Sequence, residues 1–264
     1  MDSWSTLKSF TRARIAQGSA GAGWPTNALL DFQLAHAEAR DAVLKEWDIQ
    51  AFRENATRIP GGIEILESCA CDRPSYLQRP DFGRRLNAAS SEKLRHMPLQ
   101  RPDVALILSN GLSTTAVDHH ALPILDWLTR RLRQMQLQIS PLFIVANGRV
   151  ALSDEIGELT GARSTVILIG ERPGLSAADS LGAYLTIFPR IGRNDAERNC
   201  ISNIREPDGL SYRIAAGKIA YLLMKGFQLG YGGVGLKDDS PSEPELLEAS
   251  LEKPESITFG AIHE

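Results

Sequence analysis

The chain has 264 residues, of which 43% are hydrophobic, and it carries a formal net charge of −3 at pH 7. This length and apolar content support one large domain with a core, or one domain with an appended segment, and no apolar run approaches the ~20 residues that span a bilayer. The charge excludes a global basic signature for nucleic acid, so we expect neither nucleic-acid nor membrane partners.

The cysteine content predicts a reducing compartment. There are three cysteines, Cys69, Cys71 and Cys200, and no secretory signal precedes them. An odd, low count of this kind is typical of reduced thiols in a cytoplasmic protein. Cys69 and Cys71 form a C-x-C pair, but no second Cys/His pair lies at zinc-site spacing, so we expect no structural zinc.

A helical segment is predicted before the main sheet. Apolar residues recur near helical spacing over residues 25–47, with a proline at the helix start. Residues 59–71 have the pattern of a linker with a short strand, and residues 90–95 that of a short helix. We therefore predict an N-terminal helical and loop segment over residues 1–98.

From Val104 onward the pattern changes to alternating strands and helices. Apolar runs predict strands at residues 104–108, 142–145, 165–169, 185–188 and 200–204. Helices are predicted at residues 114–132, interrupted at Pro123, at 153–159, capped by Ser153 and ended by Gly161, and at 214–229. This alternation predicts an α/β domain over residues 99–237, with a mainly parallel, Rossmann-like sheet and flanking helices.

The end of the chain has a different composition. Residues 238–264 hold eight acidic residues and one lysine, a net charge of −7, together with prolines and serines. Such a segment cannot bury enough apolar surface to offset the entropy cost of ordering. We predict a largely disordered acidic tail there.

The stretch after the predicted strand at 165–169 is the clearest candidate site. The strand is followed by Gly170-Glu171-Arg172-Pro173-Gly174, and ligands of open α/β sheets gather beyond the carboxyl ends of the strands. Ser176 to Asp179 has the form of a capping box, so a helix is predicted to start there. An ordinary turn with a surface ion pair explains the same residues, and the local sequence leaves both interpretations open.

Other candidate motifs are weak. His119 and His120 are adjacent, but neighbouring residues on a helix do not share a face, and no third ligand is evident from the sequence, so we expect no metal site. G-x-S-x-G, H-E-x-x-H and Walker A motifs are absent, and no strand is followed by G-x-G-x-x-G. The residues alone thus predict an α/β binding domain without catalytic residues.

Six loop motifs, taken together and in order, resemble the small (light) subunit of ethanolamine ammonia-lyase. The resemblance runs from about residue 11 to residue 237. The motifs are Tyr76-Leu77-x-Arg79-Pro80-Asp81-x-Gly83-Arg84-Arg85-Leu86, Ser109-x-Gly111-Leu112-Ser113, Gly148-Arg149-Val150, Gly157-Glu158, Gly170-Glu171-Arg172-Pro173-Gly174-Leu175 and Cys200-Ile201-Ser202-Asn203-Ile204.

The resemblance implies a subunit of an enzyme that uses adenosylcobalamin to convert ethanolamine to acetaldehyde and ammonia by radical chemistry. It implies that a large TIM-barrel subunit holds ethanolamine and the catalytic residues, while the small subunit closes over the cobalamin at the subunit interface. The cobalamin is expected to be base-on, keeping its own dimethylbenzimidazole as lower ligand. Asp118-x-His120 agrees with this, because Pro123 replaces the glycine that closes the D-x-H-x-x-G motif of proteins that supply a histidine to cobalt.

Three cobalamin-binding residues carry over from the resemblance: Val150, Glu171 and Cys200. Glu171 would accept hydrogen bonds from amides at the corrin rim. Val150 would give an apolar or backbone contact, and Cys200 a small polarisable wall. Because each follows or precedes a predicted strand, we expect them to line one edge of the sheet.

Two positions depart from the family pattern. Asn110 stands where relatives usually have Asp, and Ser19 where an Arg is usual. The resemblance implies a cytoplasmic protein and leaves open whether it works inside a bacterial microcompartment, since the long N-terminal extension that some relatives use for packaging is not found. The alternative function is a free-standing nucleotide-binding or regulatory α/β module.

Overall fold

The fold is described by a computed structural model that covers residues 3–56, 59, 61–98 and 101–240. Within these residues the α-helices are α1 (Ser3–Lys8), α2 (Thr26–Leu44), α3 (Ile49–Asn55), α4 (Arg73–Gln78), α5 (Ala88–His96), α6 (Thr114–Gln134), α7 (Leu152–Thr160) and α8 (Tyr212–Leu229). The strands are β1 (Ile63–Glu67), β2 (Val104–Ser109), β3 (Leu142–Ala146), β4 (Ser164–Gly170), β5 (Leu181–Ile187) and β6 (Arg198–Ile204). The predicted disorder of the acidic tail lies outside the described residues from position 241 onward.

The six strands form one mixed sheet in the order β1-β3-β2-β4-β5-β6. The first four are mutually parallel, whereas β5 runs antiparallel to both of its neighbours. The predicted α/β class, with a helical N-terminal segment and a mainly parallel sheet, is confirmed. Strand β1 precedes residue 98 and pairs with β3 as an edge strand, and the predicted domain boundary at 98/99 stays a prediction.

Helices cover both faces of the central strands, which explains why these strands are apolar without alternation. Every residue of β2 and β4 is buried. On one face Leu106 and Leu108 pack with residues of α6 and α8. On the other face Ala105 and Ile107 pack with residues of α5 and α7. We call this second face the α7 face.

The helix predicted to start at Ser176 does not form. The chain makes a loop over residues 171–180 and returns as the antiparallel strand β5. Gly174 and Ala177 exchange backbone hydrogen bonds of 2.8 and 3.2 Å, which close a tight turn. The Asp179 carboxylate accepts a hydrogen bond from Arg205 at 2.9 Å instead of capping a helix, so the tertiary partner outweighs the local signal.

Two details of the predicted helices were also wrong. Helix α6 continues through Pro123, because residues on both sides of it, Ala121 and Ile124, are fully buried in the core. Ser153 does not cap α7: it lies in the first turn, and its hydroxyl donates to the Val150 carbonyl at 2.8 Å. The predicted end of α7 at Gly161, in the left-handed conformation with φ +63°, is confirmed.

Within the described ranges, every helix falls short of the length or the apolar character that crossing a membrane requires.

Candidate functional site

The crevice between β2 and β3 is filled by the protein's own side chain. These neighbouring strands are followed by helices on opposite faces of the sheet, α6 and α7, and such a switch point is where open α/β sheets bind ligands. Arg73, only 4% exposed, donates through Nη1 to the Gly111 carbonyl at 2.6 Å and through Nε to the Val43 carbonyl at 2.6 Å. Its Nη1 also lies 3.4 Å from Asn147 Oδ1, so the side chain spans the loops that follow both strands.

The motif that begins at Tyr76 stabilises this arrangement. The buried Tyr76 ring lies between two guanidinium groups, with centroid distances of 4.8 Å to Arg73 and 4.5 Å to Arg149. Arg149 also donates to the Tyr76 carbonyl at 3.0 Å. Further along the motif, Arg79 and Asp81 form an exposed ion pair at 2.7 Å. The dense charges of this motif therefore serve largely to hold loops together.

Glu171 lies against the α7 face of β5 and β6. Its Oε2 accepts from the Ser180 hydroxyl at 2.5 Å and from the Asn203 backbone amide at 3.1 Å, and its Oε1 from the Ser202 hydroxyl at 2.5 Å. A Cβ on Gly182 would lie 2.8 Å from Oε1. The absence of a side chain at Gly182 therefore leaves room for the carboxylate to pack against the sheet.

Cys200 lies on the same surface as Glu171. It pairs across the sheet with Tyr184. Cys200 is exposed, yet desolvation by its surroundings raises the pKa of its thiol, and the Glu171 carboxylate adds to that rise. The thiol is therefore neutral at pH 7 and unsuited to nucleophilic attack. We define the β5–β6 shelf as the surface formed by Glu171, Gly182, Tyr184, Cys200 and Ser202.

The structure brings two of the three predicted cofactor residues together. Glu171 and Cys200 share the β5–β6 shelf, whereas Val150 lies half-buried just before α7. Val150 and Tyr184 pack against the same core cluster, so all three predicted residues lie on the α7 face. We expected all three residues to lie at the edge formed by the ends of the strands. Cys200 does not lie at a strand end, because it is the third residue of β6.

A cleft of about 690 Å³ lies on another side of the loop over residues 171–180. Its walls come from α2, the first part of α6 and residues 174–179. His119 and Asp179 line this cleft, and the buried His120 lies beside them, so that one potential ligand atom from each residue lies within 4.8 Å of the other two. Only the histidine pair was recognisable in the sequence, because Asp179 was assigned to a predicted helix that does not form.

The basic N-terminal segment is bound to the same loop. Arg14 donates to the Leu175 carbonyl at 3.1 Å, and Arg12 to the Ser176 carbonyl at 3.4 Å. Arg12 also forms an ion pair with Asp208. The N-terminal segment and the residues before α8 therefore hold the loop from two sides.

Helix α2 presents an unusual surface. The residues that it buries are three alanines spaced seven apart, Ala28, Ala35 and Ala42. Large apolar side chains of the same helix point to solvent, namely Leu29, Leu30, Leu34 and Leu44. A helix normally buries its leucines and exposes its small or polar residues. Exposed apolar surface of this kind is typical of surfaces that contact a protein, a membrane or a ligand.

Comparison with known proteins identifies relatives of this chain. The model of the family described as ethanolamine ammonia-lyase light chain (EutC) matches residues 1–237. A protein of Azotobacter vinelandii named ethanolamine ammonia-lyase small subunit is 50% identical over 240 residues, which cover 90% of this chain and 88% of the relative. Proteins of the same name from Pseudomonas syringae pv. tomato and Pseudomonas putida are 48% and 47% identical, covering 90% and 97% of this chain and 83% and 95% of the relatives.

The match extends through the Arg73 crevice, the β5–β6 shelf and helix α2, and the related proteins are of nearly the same length as this chain. A family model that covers all but the last 27 residues, together with relatives at about half identity, identifies the family. The chain belongs to the ethanolamine ammonia-lyase light-chain family.

Proposed function

We propose that this chain is the small subunit of an adenosylcobalamin-dependent ethanolamine ammonia-lyase and that it holds the cofactor at the interface with the large subunit. The observation that carries the proposal is the β5–β6 shelf, where Glu171 and Cys200 lie side by side on a part of the sheet that solvent reaches. Ethanolamine and the catalytic residues belong, in this proposal, to the large subunit.

The donor set of the shelf fits the amide-rich rim of a corrin. A carboxylate has about four lone-pair sites, and Glu171 uses three of them for Ser180, Ser202 and Asn203. The remaining site suits one amide donor, and the three existing bonds fix the direction in which the carboxylate points. The neutral Cys200 thiol offers a small contact beside it, and Val150 an apolar one.

The structure also supports base-on binding. His120 is buried, with its side chain 5% exposed, and its Nδ1 lies 2.9 Å from the Tyr212 hydroxyl. A corrin ring cannot approach a histidine in this position closely enough for the nitrogen to reach cobalt. We propose that the cofactor keeps its own base and that, when bound, it supplies the radical chemistry, while the residues of this chain bind and orient it.

The leucine face of α2 supports a large protein partner. Leu29, Leu30, Leu34 and Leu44 are all exposed in the free chain, and burying them would stabilise an assembly through the hydrophobic effect. We place the large subunit on this face. The three free cysteines agree with assembly in the reducing cytoplasm, whether inside a microcompartment or outside one.

Co-expression with the large subunit tests the proposal. Acetaldehyde formation from ethanolamine is measured after adenosylcobalamin is added, with and without this chain. We expect activity only when both chains are present. Equal activity of the large subunit alone would contradict the proposal.

The alternative, a free-standing nucleotide-binding or regulatory module, is less well supported. Its ligand would be expected in the crevice between β2 and β3, which the buried Arg73 side chain fills. Titration of the isolated chain with mononucleotides distinguishes the two functions. Tight mononucleotide binding without any response to the large subunit would favour the alternative.

A further inference from the structure

Two elements that are far apart in sequence bring three metal-ligating side chains together. His119 and His120 come from α6, and Asp179 from the end of the loop that precedes β5. Adjacent positions on a helix point in different directions, but both imidazoles reach Asp179 because its carboxylate lies between them. One ligand atom from each residue lies within 4.8 Å of the other two.

Both distances from Asp179 are close to those between neighbouring ligands of one metal ion. Asp179 Oδ2 lies 3.5 Å from His119 Nδ1 and 3.4 Å from His120 Nε2. Hydrogen bonds between nitrogen and oxygen are typically ~2.9–3.0 Å long. By contrast, bonds of ~2.0–2.1 Å around a tetrahedral zinc place neighbouring ligand atoms ~3.3–3.4 Å apart.

Outer contacts orient two of the three ligands. The Tyr212 hydroxyl lies 2.9 Å from His120 Nδ1, which leaves Nε2 directed towards Asp179. Arg205 donates to Asp179 Oδ1 at 2.9 Å, which leaves Oδ2 directed towards the imidazoles. Partners of this kind, on the far side of each ligand, are the usual companions of protein metal sites.

Arg205 is the charged group that opposes binding. Its guanidinium lies 2.9 Å from Asp179 Oδ1, and it would repel a cation held by the other oxygen of this carboxylate.

We propose that His119, His120 and Asp179 bind a divalent transition-metal ion of the Zn²⁺ class, with the exposed His119 closing onto the ion and a fourth position open to water. Nitrogen and carboxylate ligands in this number are those that Zn²⁺ takes at sites with an open position. Bound metal would join α6 to the end of the loop that begins at Glu171. The proposal does not depend on the proposed function.

Metal titration of the full chain tests the site. The background variant carries Cys69→Ser and Cys71→Ser, because these exposed thiols are the competing soft ligands. Co²⁺ is the spectroscopic probe and Zn²⁺ the calorimetric one. We expect one ion per chain, with Co²⁺ d–d absorption and no sulfur-to-cobalt charge-transfer band.

Single substitutions locate the ion. His119→Ala removes an exposed ligand without disturbing the core and should weaken binding at least tenfold, and Asp179→Asn should do the same. His96→Ala, at an exposed histidine on α5, should leave binding unchanged. No stoichiometric binding in the background variant, equal binding by His119→Ala, or a charge-transfer band that reports Cys200 ligation would each overturn the proposal.

Discussion

Arg198 and Asp154 form a buried ion pair that joins β6 to α7. The Arg198 Nη1 and Nη2 atoms lie 2.5 and 2.7 Å from the two carboxylate oxygens of Asp154, and both side chains are 2% exposed. Nη1 also donates to Thr186 at 3.0 Å and Nη2 to the Arg193 carbonyl at 2.9 Å. The bidentate geometry fixes the strand that carries Cys200 relative to the helix that follows Val150.

Asp154→Ala should destabilise the chain strongly. It removes the buried bidentate partner and leaves the Arg198 guanidinium only the longer contact of 3.6 Å from Nε to the exposed Asp195. Removal of one partner from a buried pair costs about 3–5 kcal/mol. Denaturant unfolding followed by circular dichroism measures the free energy of unfolding. The matched control is Asp126→Ala, which breaks the exposed Asp126–Arg130 pair on α6 and should cost about 0.5 kcal/mol or less. Equal losses in the two variants would contradict the structural role of the buried pair.

The strands around this pair were predictable from sequence, whereas the loops that form the site were not. Residues 165–169 are apolar on both faces because helices cover both sides of β4, and a short apolar run without alternation is enough to predict this. The conformation of residues 176–179 depends on Arg205, which lies 26 residues beyond Asp179 and donates a hydrogen bond to it. Local pattern therefore favoured a helix, and only the tertiary contact decides against it.

Two other features could not be predicted from the sequence, because they also depend on tertiary contacts. Arg73 has the character of a surface residue, and only the assembled loops show that it fills the crevice beside Gly111. The spacing of apolar residues along α2 predicted the helix correctly, but spacing does not tell which face is buried. The structure shows that the alanines are packed inside and the leucines are exposed.

Leu34→Asp should weaken association with the large subunit at least tenfold, because it places a charge in the apolar face of α2. Leu34 is 61% exposed in the free chain, so circular dichroism and thermal unfolding of this chain alone should not change. Calorimetry or pull-down with the large subunit measures the association. Leu229→Asp, at an exposed leucine in the last turn of α8, is the control and should bind normally. Normal binding by Leu34→Asp would remove α2 from the interface.

Stability should fall on acidification below about pH 6.5, the ordinary pKa of histidine, because of His120. Burial lowers the pKa of this imidazole in the folded chain, against the opposing effect of Asp179. The unfolded chain therefore takes up a proton at a higher pH than the folded one, and stability present above pH 6.5 is lost as the pH falls towards the folded pKa.

Urea unfolding at pH 7.5 and pH 5.5 measures this loss, whose limiting slope for one proton is about 1.4 kcal/mol per pH unit. His120→Gln cannot titrate and keeps a polar group beside Tyr212, so its stability should vary less over this range. The charged and titratable neighbours Asp179, Arg205, His119 and Tyr212 remain in both proteins. An unchanged slope in His120→Gln would show that other groups cause the acid sensitivity.

Glu171→Ala should weaken the binding of cobalamin to the assembled enzyme by about 1.5–3 kcal/mol, the value of a hydrogen bond to a charged group. It also releases Ser180, Ser202 and the Asn203 amide from the carboxylate, so part of the loss could come from a displaced loop. Glu171→Gln separates the two causes, because it keeps the size of the side chain and one acceptor oxygen but removes the charge. If the carboxylate binds the cofactor directly, Glu171→Gln should also lose affinity while the complex with the large subunit still assembles. Glu64→Ala, on the strand at the opposite edge of the sheet, is the matched control, and equal cobalamin affinity in Glu171→Ala and this control would remove Glu171 from the cofactor site.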